Sequence, residues 1–197
     1  VSTRLVLVCH AATAATRAAA FPADEPLDEH GLADAAACDG ALRRVESVSC
    51  GPALRCAQTA AALGLAATPD PALADCDLGR WQGRAYDEVA AAEPDAIAAW
   101  LTDPAAAPHG GESVDDVLTR ARAWLRALPP TTGTVVAVTH PAVIRAMIID
   151  AIAATSTSFW RIDVTPLTQT VLRGGGARWT LRATGLLLRT ADSASVD

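Results

Sequence analysis

Two short apolar runs in this chain each end in a histidine. Arg4-Leu5-Val6-Leu7-Val8-Cys9 runs into His10, and Thr134-Val135-Val136-Ala137-Val138-Thr139 runs into His140. Only four histidines are present, so two in matching positions are informative. Groups at the carboxyl ends of strands in an open α/β sheet face the crevice where ligands bind. Two imidazoles delivered that way, from opposite ends of the sequence, can converge on one site. A neutral histidine of fixed tautomer can act as a nucleophile toward phosphorus. That chemistry also needs a cationic cradle for the phosphoryl oxygens, for which arginine's fork of donors is the best match. A carboxylic acid must protonate the leaving oxygen.

The elements that would position these groups follow from the pattern of apolar residues. Both histidine-terminated runs read as buried strands, and Pro141–Ala154 reads as a helix directly after the second. Helices are expected at Glu29–Arg44, weakened by Gly31 and Gly40, and at Ala53–Leu63, entered through Gly51-Pro52. A further helix, broken near Pro94, is expected at Arg84–Leu101. Glu112–Leu128 is the clearest amphipathic helix, with Val114, Val117, Leu118, Ala121, Trp124, Leu125 and Leu128 at spacings of three and four. Val45–Cys50 alternates as a strand, and Phe159–Val164, Thr168–Arg173 and Arg178–Thr184 read as terminal antiparallel strands. Strands alternating with helices, then a meander, predict a three-layer α/β/α sandwich around a mixed, mostly parallel sheet. Residues 1–190 are expected to form one domain, with an insertion at about 66–111 lying over the site as a lid. Residues 191–197 are expected to be a flexible tail.

Composition narrows the classes. The 197 residues are 51% hydrophobic and carry a formal charge of -6. Every basic side chain is arginine. No basic stripe points to nucleic acid, and no apolar run approaches the length of a membrane span. Five cysteines without metal-like spacing read as reduced thiols, and no metal or other cofactor is implied. No secretion signal opens the sequence, so a cytoplasmic protein is expected. A homodimer stays open, with the 159–164 strand at an edge or paired across it.

Five segments between Arg4 and Ile148 carry a resemblance. They are Cys9-His10-Ala11 with Thr13, Gly51-Pro52-Ala53-Leu54-Arg55-Cys56-Ala57-Gln58-Thr59-Ala60, Leu73-Ala74-Asp75 leading to Gly79-Arg80-Trp81-Gln82-Gly83, Gly110-Gly111-Glu112-Ser113, and Val135–His140. In this order and spacing they resemble the histidine phosphatase superfamily, the phosphoglycerate-mutase-like group. The resemblance implies a phosphatase acting on small phosphorylated metabolites through a phosphohistidine, the nucleotide-loop precursor of cobalamin among the conceivable substrates. His10 would be the nucleophile, Arg55 and His140 would hold phosphoryl oxygens, and Asp75 would take the place of the family's acidic proton donor, normally Glu. Thr13 sits in the usual threonine place. Glu112 and Ser113 would shape the phosphate pocket, and Trp81 would support the lid.

Departures from the family pattern fall on the cradle. Cys9 replaces the first arginine of the signature, Ala11 replaces a glycine, Thr16 stands where Asn is common, and Pro141 offers no N–H after the second histidine. Arg17 is the expected substitute cation, with Arg80 and Arg84 weaker candidates. Bland alternatives stand beside each assignment. His140 also suits a helix cap, Arg55 a solvated surface charge, Arg145 a salt bridge, and Cys9 an apolar filler or a redox-sensitive thiol. Asp77 and Glu112 compete with Asp75. A catalytically impaired member that binds phosphorylated ligands or a protein partner is the alternative to an enzyme.

Overall fold

The computed structural model describes residues 2–189. Its strands are β1 (Thr3–Cys9), β2 (Val45–Cys50), β3 (Thr68–Pro69), β4 (Thr134–Thr139), β5 (Thr168–Gly175) and β6 (Arg178–Leu187). Its helices are α1 (Ala14–Arg17), α2 (Glu29–Ala36), α3 (Leu54–Ala62), α4 (Tyr86–Ala92), α5 (Pro94–Thr102), α6 (Val114–Ala127) and α7 (Pro141–Ala151). The sheet order is β3-β2-β4-β1-β5-β6. The four strands from β3 to β1 run parallel, and β5 and β6 are antiparallel additions.

β1 and β4 are apolar on both faces because both faces are covered. Leu5, Leu7 and Cys9 of β1, with Val135 and Ala137 of β4, face a core built with α6 and α7. Val6 and Val8, with Val136 and Val138, face a smaller core that includes Cys56 and Ala60 of α3. The expected three layers are therefore present. β1 and β4 pair with Cys9 opposite Thr139, and His10 N–H donates to the Thr139 carbonyl at 3.0 Å. That register brings His10 and His140 out of the sheet side by side.

Several expected elements differ. The helix from Glu29 stops at Ala36, well short of Arg44. Gly40 and Arg44 take positive φ values of 73° and 55°, which a helix does not accommodate. Gly31 remains inside α2, where a Cβ would collide with the Ala12 carbonyl, so its lack of a side chain permits close packing against the loop after β1. The strand expected at 159–164 is absent: Ser156–Arg161 forms a 3-10 helix. Both sides of β1 are already paired, and the Ile162 carbonyl, which a strand would commit to a ladder, accepts from Arg145 Nε at 2.7 Å. Phe159 is buried in the larger core instead. Pairing across a dimer through that segment loses its strand, and β6 forms the sheet edge. The expected tail at 191–197 lies outside the described residues.

The 66–111 insertion is partly sheet, since Thr68–Pro69 pairs parallel beside β2. Beyond it, α4, α5 and two short 3-10 turns close over the strand ends. Phe21, Leu78, Trp81, Val89 and Ile97 give this lid its own apolar cluster. Trp81 is fully buried there. Arg80 and Arg84 both pair with Glu93, which ties the lid to itself and takes both arginines out of the cradle.

Candidate active site

His10 and His140 lie with ring centroids 5.1 Å apart at an interplanar angle of 64°. His10 Nδ1–H donates to the Ala11 carbonyl at 2.7 Å, so its lone pair lies on Nε2. Burial, reinforced by the neighbouring His140, lowers the His10 pKa to about 4, and the ring is neutral at neutral pH.

Arg55 projects from the first turn of α3 and is almost fully buried. Its Nη2 donates to Asp75 Oδ2 at 2.8 Å, its Nη1 donates to the Ala23 carbonyl at 2.5 Å, and its Nε is buried without a partner. The solvated-surface reading of Arg55 is therefore overturned. His140 Nδ1 lies 3.2 Å from the same Asp75 oxygen, out of hydrogen-bond alignment. His140 occupies the cap position of α7 but makes no side-chain cap bond. Burial alone would raise the Asp75 carboxyl. His140, Arg55 and His10 outweigh burial and hold it well below the usual carboxylate range.

Two groups that sequence reasoning passed over fix this arrangement. Cys56 Sγ lies 3.3 Å from His140 Nε2. Burial pushes the Cys56 thiol well up, so it is protonated and acts as the donor, which leaves the ring proton on Nδ1 facing Asp75. Arg120 of α6 donates to the carbonyls of Ala72, Ala74 and Asp75 at 2.9, 2.9 and 3.2 Å and clamps the loop that presents the carboxylate. The sequence carries no local signal for either contact, since both join elements far apart in the chain.

Other expected residues are placed differently. Arg17 pairs with Asp28 on the surface, its side chain half exposed. Thr13 caps α1 and turns the helix so that Arg17 faces solvent, and Asp28, the cap of α2, captures it there. Arg17 therefore does not replace the lost cradle arginine. Glu112 does not reach the histidines either. It accepts from Arg120 Nε and Nη2 at 3.0 and 2.8 Å and braces the loop from outside. Ser113 caps α6 reciprocally with Asp116. Thr13 is buried at the site, and its hydroxyl donates to Glu25 Oε1 at 3.0 Å. Glu25 in turn lies 3.9 Å from Arg55, an acidic neighbour the motifs did not flag.

Cys9 is buried beside His10, and desolvation holds its thiol far above the ordinary range, which removes the reactive-thiolate reading. Arg145 makes no salt bridge within the described residues. Its guanidinium lies 5.6 Å from the ring centroids of both Phe159 and Trp160. A cavity of about 260 Å³ opens from His10, Cys9 and Asp75 toward Arg145 and those rings. A second, more open cleft, which shares Asp75 with this cavity, is lined by Arg55. Among the described residues, no three His, Cys, Asp or Glu side chains cluster as a metal site. No described helix is long and apolar enough to cross a membrane.

The model of the histidine phosphatase superfamily (branch 1) matches residues 5–186. The chain belongs to this family. A bifunctional protein of Mycobacterium tuberculosis is 34% identical over 129 residues, covering 61% of this chain and 35% of that protein. A glucosyl-3-phosphoglycerate phosphatase of the same organism is 44% identical over 59 residues, 30% of this chain and 26% of its own. The chain thus spans about a third or less of the length of these curated relatives. Among solved structures, mycobacterial hydrolase 1 superposes with a TM-score of 0.84 at 27% identity, covering 97% of this chain and 100% of that one. Mycobacterial glucosyl-3-phosphoglycerate phosphatase complexed with VO3 gives 0.79 at 28% identity, covering 95% and 99%. A member of this family, the chain places its two histidines and Arg55 together at the carboxyl end of the sheet.

Proposed function

We propose that this histidine phosphatase hydrolyses small phosphomonoesters through a phosphohistidine on His10. The observation that carries the reading is the shared position of Asp75 Oδ2 between Arg55 Nη2 and His140 Nδ1. A carboxylate oxygen bonded to one guanidinium and 3.2 Å from an imidazole nitrogen marks a place for an anionic oxygen, close to a neutral nucleophile. A phosphoryl oxygen competes for the same two donors.

In the first step the His10 Nε2 lone pair forms a bond to phosphorus and the phosphorus–ester oxygen bond breaks. The departing alcohol oxygen takes a proton, for which Asp75 is the nearest carrier. An arriving phosphate dianion draws Arg55 and His140 away from Asp75 and repels its charge, and both effects raise the carboxyl's proton affinity. In the second step a water oxygen attacks phosphorus and gives its proton to Asp75. The nitrogen–phosphorus bond breaks, and inorganic phosphate leaves. Charge on the non-bridging oxygens is met by Arg55 and His140, so the reading needs no metal. Five unpaired cysteines fit a reducing compartment such as the cytoplasm.

Cys9 in the first cradle position favours a second reading, a member that binds phosphorylated ligands with little turnover. Losing one charge-assisted contact removes about 1.5–3 kcal/mol, worth roughly ten- to a hundredfold in rate if it acts fully in the transition state. Hydrolysis of p-nitrophenyl phosphate between pH 5 and 8 separates the readings. Activity that His10→Ala abolishes, with an acid-labile, base-stable phosphoenzyme, supports the hydrolase. Vanadate binding without turnover supports the binding protein.

A further inference from the structure

Cys9 faces the core between the sheet and α6–α7, in line with Leu5 and Leu7. Cys9 is among the residues around the 260 Å³ cavity that also touches His10 and Asp75. An arginine at position 9 would project into this space, so the exchange to cysteine exchanges a cation for room. A cavity of about 150 Å³ accommodates a benzene ring; this one has space for a ring with substituents. We propose that this chamber receives the leaving alcohol of the substrate, and that the alcohol is aromatic. The assignment rests on the phosphomonoesterase reading of the adjoining histidines and names the substrate class of that same site.

The walls favour a flat π system. Phe21, Trp100, Phe159 and Trp160 line the chamber with Leu78 and Val117. Trp100 and Trp160 meet edge to face at 4.4 Å, and Phe159 and Trp160 at 4.9 Å. Arg145 adds a guanidinium already placed near two aromatic rings, a group that stacks on π faces. Its Nε is committed to the Ile162 carbonyl. Polar partners for a polyhydroxylated alcohol are scarce. The Thr13 and Thr16 hydroxyls bond each other at 3.1 Å, and Thr13 also serves Glu25. Beyond Arg145, Glu25 and Asp75 the walls are largely apolar, so a sugar-like group would lose more hydration there than it regains, which is costly. The acid supply agrees with this picture: Asp75 is ionised in the resting site, and a phenolate departs with less proton transfer than an alkoxide.

Binding of benzylphosphonate and methylphosphonate, neither of which can be hydrolysed, tests the chamber by calorimetry without depending on turnover. Wild type is expected to hold benzylphosphonate at least about tenfold tighter, from burial of the ring. Cys9→Arg and Trp100→Ala are each expected to shrink that ratio to about threefold or less. Because the ratio is taken within one protein preparation, a partly misfolded variant does not distort it. Turnover of 2-phenylethyl phosphate and glycerol 1-phosphate compares two alkyl leaving groups, and kcat/KM should favour the first by a similar factor. Equal affinity for the two phosphonates, binding of neither, or a ratio unmoved in both variants overturns the assignment. Discrimination between the phosphonates without hydrolysis of any ester would leave the chamber standing and defeat the hydrolase reading.

Discussion

Asp75 carries two opposed duties, and its substitution separates them. Its carboxylate pairs with Arg55 and lies 3.2 Å from His140 Nδ1, yet it competes with phosphate for both. Asp75→Asn should therefore bind vanadate or orthophosphate more tightly while kcat falls by about a hundredfold, a magnitude typical of a lost acid–base group. Weaker phosphate binding in this variant would show that Asp75 organises Arg55 instead of competing for it. Cys56 is tested by the proton it places. Cys56→Ala should lower kcat about two- to fivefold, the worth of one modest hydrogen bond, and Cys56→Ser should restore most of it, because a hydroxyl also donates to His140 Nε2. The sequence exposed His10, His140, Arg55 and Asp75 because each sits in a motif whose neighbours are local. It misplaced Arg17 because proximity in sequence to the vacancy at Cys9 ignored the α1 cap and the competing Asp28.

At the level of elements, α6 links the lid loop to the core. Ser113 starts it with a reciprocal cap, its hydroxyl accepting from Asp116 N–H at 3.1 Å while Asp116 Oδ2 accepts from Ser113 N–H at 2.9 Å. Ser113→Ala should cost about 1 kcal/mol, read as a lower urea midpoint at unchanged slope. The same helix delivers Arg120 to three carbonyls of the Asp75 loop, so fraying at its start should loosen the acid before it unfolds the sheet. Periodicity revealed this helix because one face is buried along its whole length. It failed at 159–164, where alternation of apolar residues suited a strand but Phe159 packs into the larger core and Arg145 takes the Ile162 carbonyl.

For the whole molecule, two buried histidines set a limit on acid stability. Burial lowers the pKa of His10 to about 4 and lowers that of His109 as well. An unfolded chain protonates both near pH 6.5, while the folded chain resists. The unfolded state therefore binds more protons over this interval. Their contribution to stability is complete above pH 6.5 and is lost progressively as the pH falls, down to about 4 for His10. Urea midpoints should drop between pH 7.5 and pH 4.5, and the drop should shrink in His10→Asn and in His109→Asn. An unchanged drop in both would assign acid sensitivity to carboxylates. His109 was not singled out from the sequence, because its burial against Trp81 depends on how the lid folds back.

The sequence alone determined the two histidine-terminated strands, the helices with one apolar face and the ordered motifs that place the chain among histidine phosphatases. These depend on short-range periodicity and on residue types whose chemistry is independent of context. Tertiary structure alone decided that no arginine replaces the one missing at Cys9 and that a cavity opens beside it. It sent Arg17 outward, set Cys56 against His140, tied Arg120 to the Asp75 loop and gathered aromatic rings from the loop after β1, the lid and the 156–161 turn. Those choices turn on which distant side chains meet and which charges are already paired, quantities fixed by packing in three dimensions.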